Sequence, residues 1–442
     1  MSAMAVVQKP DSVSIIPAPR PFRGSVTPPG SKSETNRFLM LAALSSGRTR
    51  LDAPLRADDT NRFIDAIRAC GAGIREGDSW VEIDSSGLLE GGSSVMLGDG
   101  GTPTRFMIAL ATLARQPITI DGSARMRERP VAEGIEMLRA LGAEIQYLES
   151  EGRLPVRVGG GKVPRGGALE VGRTASSQFV SAVLLLAPRL ERGIDLSVRA
   201  DSLTSPSYVE LTIHALEKWG VAVQVERDHE GRLARVTVPP TQLRAASLQI
   251  EVDASSAAYF LAAAAVVPDA GVVIRGLPRL SKQPDVACLS ALVSMGASEC
   301  SSAAGIGVEG TSIWRGIDID ASRWPDGALC LAAVASLAKG STRIRGLETL
   351  KDKECDRVHV MAEQLARTGC CIESTDHSIT IHPDRVRAAP VLIDPRGDHR
   401  VAMSFAVLGL ARPGISIANP ACVSKSYPAF WRDLHQLTGC VS

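Results

Sequence analysis

Six times along the chain an apolar stretch of helical length recurs, and this repeat limits the possible folds more than any other feature. The stretches are TNRFLMLAALSS, TPTRFMIALATLA, SSQFVSAVLLLAP, SSAAYFLAAAAVVP, DGALCLAAVASLAKG and DHRVAMSFAVLGLARPG. Each is apolar nearly all round, the pattern of a helix buried inside a domain. Each is followed by a short β-rich stretch: TRLDAPL, ITIDGS, IDLSVRA, VVIRGLP, TRIRGLE and ISIANP. A second helix then carries apolar positions at helical spacing, as in VAEGIEMLRALGA and VHVMAEQLARTGC. The period, roughly seventy to eighty residues, is too long for a solenoid of small repeats. It predicts six mixed α/β units packed as two groups of three around buried helices. A chain of 442 residues exceeds one ordinary core, which agrees with two groups. The stretch near residues 240–253 and the one before Pro29 are the expected crossings between them.

The polar residues sit where the repeats begin, and helix starts on a rigid scaffold are where chemistry concentrates. Lys32, Ser33 and Arg37 enter the first apolar helix. GDGGTPTR (Gly98–Arg105) opens the second, with Thr102 as expected N-cap and Pro103 at the first helical position. Ser176, Ser177 and Gln178 open the third, Asp326 the fifth, and Asp398, His399 and Arg400 the sixth. Further clusters lie between strand and second helix: RMRERP (Arg125–Pro130), TSPSY (Thr204–Tyr208), KDKECDR (Lys351–Arg357) and SKSYP (Ser424–Pro428). A helix N-terminus beside a cation is a ready anion site. Basic residues placed this way in repeat after repeat are expected to converge on a ligand carrying phosphate and carboxylate groups.

Composition excludes several classes. Lys plus Arg number 49 against 48 for Asp plus Glu, so no overall field attracts nucleic acid or an acidic membrane. Aromatic residues are 4%, too few for base-stacking platforms. The nine cysteines form no CxxC pair, and the adjacent Cys370 and Cys371 suit reduced thiols in a cytosolic enzyme better than a disulfide framework. The start, MSAMAVVQKPDSVSIIPAPRPFRG, has no long apolar core and reads as neither signal peptide nor membrane span, so a cytoplasmic location is expected. No His/Cys spacing suggests a metal site, and no cofactor is expected.

In this order, PGSKSxTNR, GDGGTPTR, RMRERP, ASSQF, SPSY, WPDGA, KECDR, DHR and SKSYP resemble the motifs of the 5-enolpyruvylshikimate-3-phosphate synthase family over almost the whole chain. The resemblance implies a two-domain α/β enolpyruvyl transferase fold. In it six βαβαββ-type repeats form two groups of three, an inside-out α/β barrel. Residues 1–30 and 251–442 would form one discontinuous domain carrying the base, the acid and the phosphoenolpyruvate clamp. Residues 31–250 would carry most of the shikimate 3-phosphate site and the glycine-rich loop. The implied reaction moves the enolpyruvyl group of phosphoenolpyruvate to the 5-hydroxyl of shikimate 3-phosphate and releases phosphate, in the route to chorismate and aromatic amino acids. By motif match Asp326 resembles the base at that hydroxyl and Glu354 the acid at the methylene carbon, with Lys32 shared between the two substrates. Ser33, Arg37, Ser176, Ser177, Gln178, Ser205, Tyr208, Asp326 and Lys353 match the shikimate 3-phosphate side. Gly101, Arg129, Gln178, Arg357, Arg400 and Lys425 match the phosphoenolpyruvate side. The implied partners are these two small molecules, with no nucleic acid or membrane, and the chain is expected to act as a monomer.

Four positions depart from the family pattern. Asp99 stands where Asn is usual, Pro103 where a small residue is usual, Phe106 where Pro is common and Thr349 where Asn is common. An Asp99 carboxylate beside the phosphoenolpyruvate site is expected to oppose that anion, and glyphosate, the family's inhibitor, more strongly still. Phe106 is expected to push Gly101 inward. Three other readings compete. The sister transferase acting on a UDP-amino sugar would carry a cysteine in the loop GSARMRERP, which has none. A paralogue acting on another cyclic alcohol is favoured only by Asp99 and Thr349. A non-catalytic anion-binding protein on the same scaffold would be expected to lose the carboxylate pair, which is present.

Overall fold

The computed structural model describes residues 11–18, 21–199, 203–383 and 390–441. The first ten residues, part of the stretch read as neither signal peptide nor membrane span, lie outside them. All six apolar segments are helices: α1 (Lys32–Leu44), α2 (Gly101–Ala111), α3 (Ser177–Leu186), α4 (Ala254–Ala265), α5 (Pro325–Ala335) and α6 (His399–Ala411). Every residue of α4 is buried, and so is α6 from His399 to Leu410. Such helices have no wet face, which is why their sequences show no polar stripe. The second helices do have one: in Arg357–Arg367, Val358, Met361 and Leu365 point inward while the opposite side is open to solvent.

Two separate hydrophobic cores result. One is built around α1, α2 and α3, and the other around α4, α5 and α6 together with Val13, Ile15, Phe22 and Val26 from the N-terminal segment. Six sheets surround the cores, five of four strands and one of three. The five four-stranded sheets share one pattern. Ser94–Met96 runs parallel to Ile118–Asp121, which pairs antiparallel with Val156–Val158, which takes Ile145–Tyr147 antiparallel on its other side. With the helices between these strands, the unit is βαβαββ, and the fold is the expected two-domain α/β arrangement of six repeats. A parallel pair needs a long crossover, which the buried helix provides.

Three strands reach their sheets from far along the chain. Ser247–Gln249 lies parallel to Ser46–Asp52 in the first core's sheet. Arg23–Val26 lies parallel to Gly271–Arg275, and Ser12–Ile15 antiparallel to Ile415–Ala418, both in the second. The chain therefore crosses between cores twice. The crossings run side by side, with Ser31 N–H donating to Glu251 O at 2.7 Å and Asp253 N–H to Pro29 O at 2.9 Å. Gly30 lies between them, and a Cβ there would come within 2.0 Å of Ala53 O, so only glycine fits.

One local expectation fails. Helix α2 begins at Gly101 with Gly100 as N-cap, so Thr102 and Pro103 are its second and third residues. The turn Leu97–Gly100, closed by a 3.1 Å backbone hydrogen bond, starts the helix earlier than Thr102 would. Pro103 is tolerated because first-turn N–H groups have no intrahelical acceptor. Among the described residues all nine cysteines are free. No helix among them is long and apolar enough to cross a membrane.

Candidate active site

The starts of the buried helices face one another across the cleft between the cores. One pocket there is lined by Lys32, Ser33 and Arg37 from α1, Gly101 from α2, Arg129, and Ser176, Ser177 and Gln178 at the start of α3. Ser205 and Tyr208 join them from the start of helix Pro206–Lys218. The other core adds Asp326 from α5, Lys353, Glu354 and Arg357, and Arg400 from α6. Every residue matched to a catalytic or substrate-binding role in the sequence lines this pocket except Lys425. Lys425 Nζ is 2.9 Å from Glu354 Oε1 and donates to Asp99 O at 3.3 Å. Helix N-termini bring positive partial charge and free N–H groups to the same place as these cations, a setting for anions.

The carboxylates are organised by one guanidinium. Arg357, 2% exposed, donates to Asp326 Oδ1 at 2.8 Å, Glu354 Oε2 at 2.9 Å and Asp398 Oδ2 at 2.7 Å. Asp398 also caps α6, accepting from the N–H groups of Arg400 and Val401, so the hub is fixed to a helix end. Arg400 Nη2 lies 3.2 Å from Asp326 Oδ2. Burial works to raise the Asp326 carboxyl, but Arg400, Lys353, Arg357 and Lys32 outweigh it and hold the group well below the usual carboxylate range. Glu354 is also held well below that range, with burial opposed by Lys425, Arg357, His399 and Arg129.

The cations pay the matching cost of burial. Burial lowers Arg37 to about 10, and its three nitrogens are occupied by Thr212 Oγ1, Ser33 O, Ser181 Oγ and Tyr208 O. Burial first, then Arg357 and Arg129, lower Lys353 to about 8 against the pull of Asp326. Backbone carbonyls tie the two cores across the cleft: Arg129 Nε donates to Asp352 O at 2.9 Å, and Arg125 Nη2 to Lys353 O at 3.0 Å.

The departures from the family pattern can now be located. The Asp99 carboxylate accepts the Ser123 hydroxyl and is not part of the pocket wall, while its backbone carbonyl receives Arg129 and Lys425. The expected carboxylate facing the phosphoenolpyruvate site is therefore not what the structure has. Phe106 is fully buried, with the Arg37 guanidinium 5.7 Å from its ring centre. Gly101 is closely backed: a Cβ there would lie 2.5 Å from Arg129 Nη2 and 2.9 Å from Arg105 Nη1. Thr349 lines the pocket, and its hydroxyl has no protein partner.

Three buried residues at the site were not singled out from the sequence. Asp59 lies 3.7 Å from Lys32 Nζ and 3.9 Å from Lys425 Nζ, and its only sequence signal was the acidic pair opening helix Asp58–Ala69. Arg105 binds Gln178 Oε1 at 2.6 Å, which orients a pocket residue, and lay within the quoted GDGGTPTR. Asp285 contacts Tyr208 and the start of α5 and had no signal. Among the described residues no three His, Cys, Asp or Glu are grouped to hold a metal ion.

Six βαβαββ units in two domains, with helix starts and cations turned on a shared cleft, are the architecture of an enolpyruvyl transferase. An enolpyruvyl transferase from Streptomyces tendae, NikO, superimposes with a TM-score of 0.75 over 98% of both chains, at 17% identity, and so speaks for the fold alone. An EPSP synthase from Acinetobacter baumannii superimposes with a TM-score of 0.79 over 98% of this chain and 99% of its own, at 27% identity. The family model for EPSP synthase (3-phosphoshikimate 1-carboxyvinyltransferase) matches residues 16–434. Relatives bearing the name 3-phosphoshikimate 1-carboxyvinyltransferase include one from Methanoculleus marisnigri, 38% identical over 94% of this chain and 97% of its own. Another, from Rhizobium etli, is 35% identical over 96% of this chain and 97% of its own. The chain belongs to the EPSP synthase family.

Proposed function

We propose that the chain transfers the enolpyruvyl group of phosphoenolpyruvate to the 5-hydroxyl of shikimate 3-phosphate, releasing phosphate, as a monomer in the cytoplasm. The observation that carries the reading is the Arg357 hub, which holds Asp326 and Glu354 by separate nitrogens in a pocket lined by cations from both cores. In this reading residues 1–30 with 251–442, and residues 31–250, are the two domains. Arg37, Ser176, Ser177, Gln178, Ser205, Tyr208 and Lys353 hold shikimate 3-phosphate, with Ser33 and Lys32 beside them. Arg129, Arg357, Arg400 and Lys425 clamp phosphoenolpyruvate near Gly101, where bidentate guanidinium geometry suits both carboxylate and phosphate.

Asp326 takes the proton of the attacking hydroxyl while Glu354 gives one to the methylene carbon, forming a tetrahedral intermediate. Glu354 then takes a proton back from the new methyl group as phosphate leaves, and the proton held by Asp326 passes to that phosphate, which restores both carboxyl groups. In the free protein Glu354 is held ionised, the wrong state for an acid. The cations that hold it so, Lys425, Arg357 and Arg129, are the ones assigned to phosphoenolpyruvate. When the substrate's anionic groups occupy them, their pull on Glu354 weakens and its proton affinity rises. Substrate binding thus prepares the acid. Phosphate release from phosphoenolpyruvate, measured with and without shikimate 3-phosphate, tests the function: release that does not depend on shikimate 3-phosphate overturns it.

A further inference from the structure

Asp285 has no place in the roles above, yet it is 3% exposed and stands next to the proposed base. It lies in the turn Pro284–Val286 that leads into helix Ala287–Met295. Its Oδ1 accepts the N–H of Gly327, the residue after Asp326, at 2.9 Å. Its Oδ2 accepts the Ser255 hydroxyl and faces the Tyr208 hydroxyl at 3.4 Å, while Asp326 Oδ2 faces that same hydroxyl at 3.5 Å. Two carboxylates, Asp285 buried and Asp326 at the pocket wall, therefore flank one phenol. Such a pair costs stability because each disfavours the other's charge. An asparagine at 285 would keep the Gly327 bond through its oxygen and donate its amide N–H to the Ser255 hydroxyl without that cost, so the charge itself calls for a reason.

Asp326 supplies one. Arg400, Lys353, Arg357 and Lys32 stabilise its ionised form so strongly that it is a weak acceptor for a hydroxyl proton. We propose that Asp285 is a positioning residue that keeps Asp326 basic, its carboxylate fixed by Ser255 and the Gly327 N–H as a second negative charge across Tyr208. This rests on the reading of Asp326 as the base. The proton balance of the reaction is unchanged: the hydroxyl proton goes to Asp326, and Asp285 stays ionised throughout.

The charged and titratable groups facing Asp285 are Asp326 on α5, Arg400 on α6, Tyr208 on helix Pro206–Lys218 and Cys288 on helix Ala287–Met295. Burial and the Asp326 charge push the Asp285 carboxyl up to about 6, against Arg400, Ser255 and the Gly327 N–H. Above that pH Asp285 is charged and supports the base. Below it Asp285 takes a proton and the support is lost.

The test compares the full-length protein with Asp285→Asn and Ser255→Ala, measuring phosphate release with both substrates from about pH 5.5 to 8.5. The substrates' own phosphates titrate alike in all three proteins, so the differences report the residue. Asp285→Asn keeps the Gly327 bond through its oxygen, turns an amide N–H to the Ser255 hydroxyl and removes the charge. Its kcat at pH 8 is expected to fall about tenfold or more. Its KM values should stay within about threefold, and the part of the acid limb near pH 6 that is due to Asp285 should vanish. Ser255→Ala keeps the charge and removes a hydrogen bond that favours it, so kcat at pH 8 should stay within about threefold while the limb moves to higher pH. An Asp285→Asn enzyme with wild-type kcat overturns this inference and leaves the function standing. If that variant does not fold, Ser255→Ala decides alone, and a limb that has not moved overturns it. A wild type without shikimate 3-phosphate-dependent turnover overturns both.

Discussion

Replacing Arg357 by methionine removes the cation that three carboxylates share and leaves a side chain of similar length. Arg400 remains 3.2 Å from Asp326, and Lys425 remains 2.9 Å from Glu354, so those two keep a partner. Asp398, fully buried, keeps only the N–H groups of Arg400 and Val401 and the Cys355 thiol, so most of the cost falls there. Removing one partner of a buried ion pair costs about 3–5 kcal/mol. In a domain of this size that lowers Tm by about 6–20 °C. The loss should depend on pH. In the wild type Asp326 and Glu354 are depressed below their unfolded values, partly by Arg357. Their stabilising contribution is therefore present above about pH 4 and lost as pH falls through the depressed values. In the variant the two groups keep Arg400 and Lys425 and are less depressed, so the gap to wild type is expected to be steady above about pH 4 and to narrow between pH 5.5 and about pH 3. Urea denaturation at both pH values measures it. A gap below about 1 kcal/mol at pH 5.5, or one that is equal at pH 5.5 and about pH 3, would refute the view of Arg357 as the electrostatic hub.

Glu354→Gln and Asp326→Ala are each expected to lower turnover about a hundredfold or more while leaving the circular dichroism spectrum unchanged, and near-normal phosphate release by either folded variant removes it from the mechanism. Because burial brings Lys353 to about 8, it loses its charge as pH rises above that value, so kcat/KM for shikimate 3-phosphate should decline there. Lys353→Arg should extend the plateau, and an unchanged decline assigns the limb elsewhere. Asp99→Asn is expected to leave the phosphoenolpyruvate KM and the glyphosate inhibition constant within about twofold, since the carboxylate is turned to Ser123; a larger change would place it back at the pocket. Shikimate 3-phosphate, bound among cations of both cores, should favour the form in which Arg129 and Arg125 reach across the cleft, so saturating ligand should reduce the radius of gyration in small-angle scattering, and an unchanged radius counts against closure.

The repeat was legible because a helix buried on all sides must be apolar on all sides, and six such runs stand out in a sequence that is otherwise mixed. The cation set was legible because Lys32 and Arg400 sit at the start of those runs and Arg129 and Arg357 just before or at the start of the second helices, next to the turns that end at the cleft. Side-chain direction was not legible. Asp99 looked like an intruder at an anion site, yet the short turn Leu97–Gly100 starts α2 early and sends its carboxylate to Ser123. Asp285 was hidden for a different reason: Pro-Asp before a helix is an ordinary way to begin one, and nothing local reveals that Gly327 and Tyr208 come to meet it. Asp59, too, read as one of two acids at a helix start until the fold placed Lys32 and Lys425 against it.

The strand Ser12–Ile15 has a consequence for how the molecule is made. Its partner, Ile415–Ala418, lies some four hundred residues later, as the contact between Ser14 and Ser416 shows by its separation of 402 positions. At a synthesis rate of about 5–20 residues per second, that strand leaves the ribosome roughly 20–80 s before anything it can pair with exists. Arg23–Val26 likewise waits for Gly271–Arg275. The first core, complete once Ser247–Gln249 has emerged, can close in the meantime. Nascent chains halted once residue 250 has cleared the ribosome should therefore resist protease across residues 31–250 while the segment before Pro29 is cut, and Ser12–Ile15 gains protection only when the last repeat arrives.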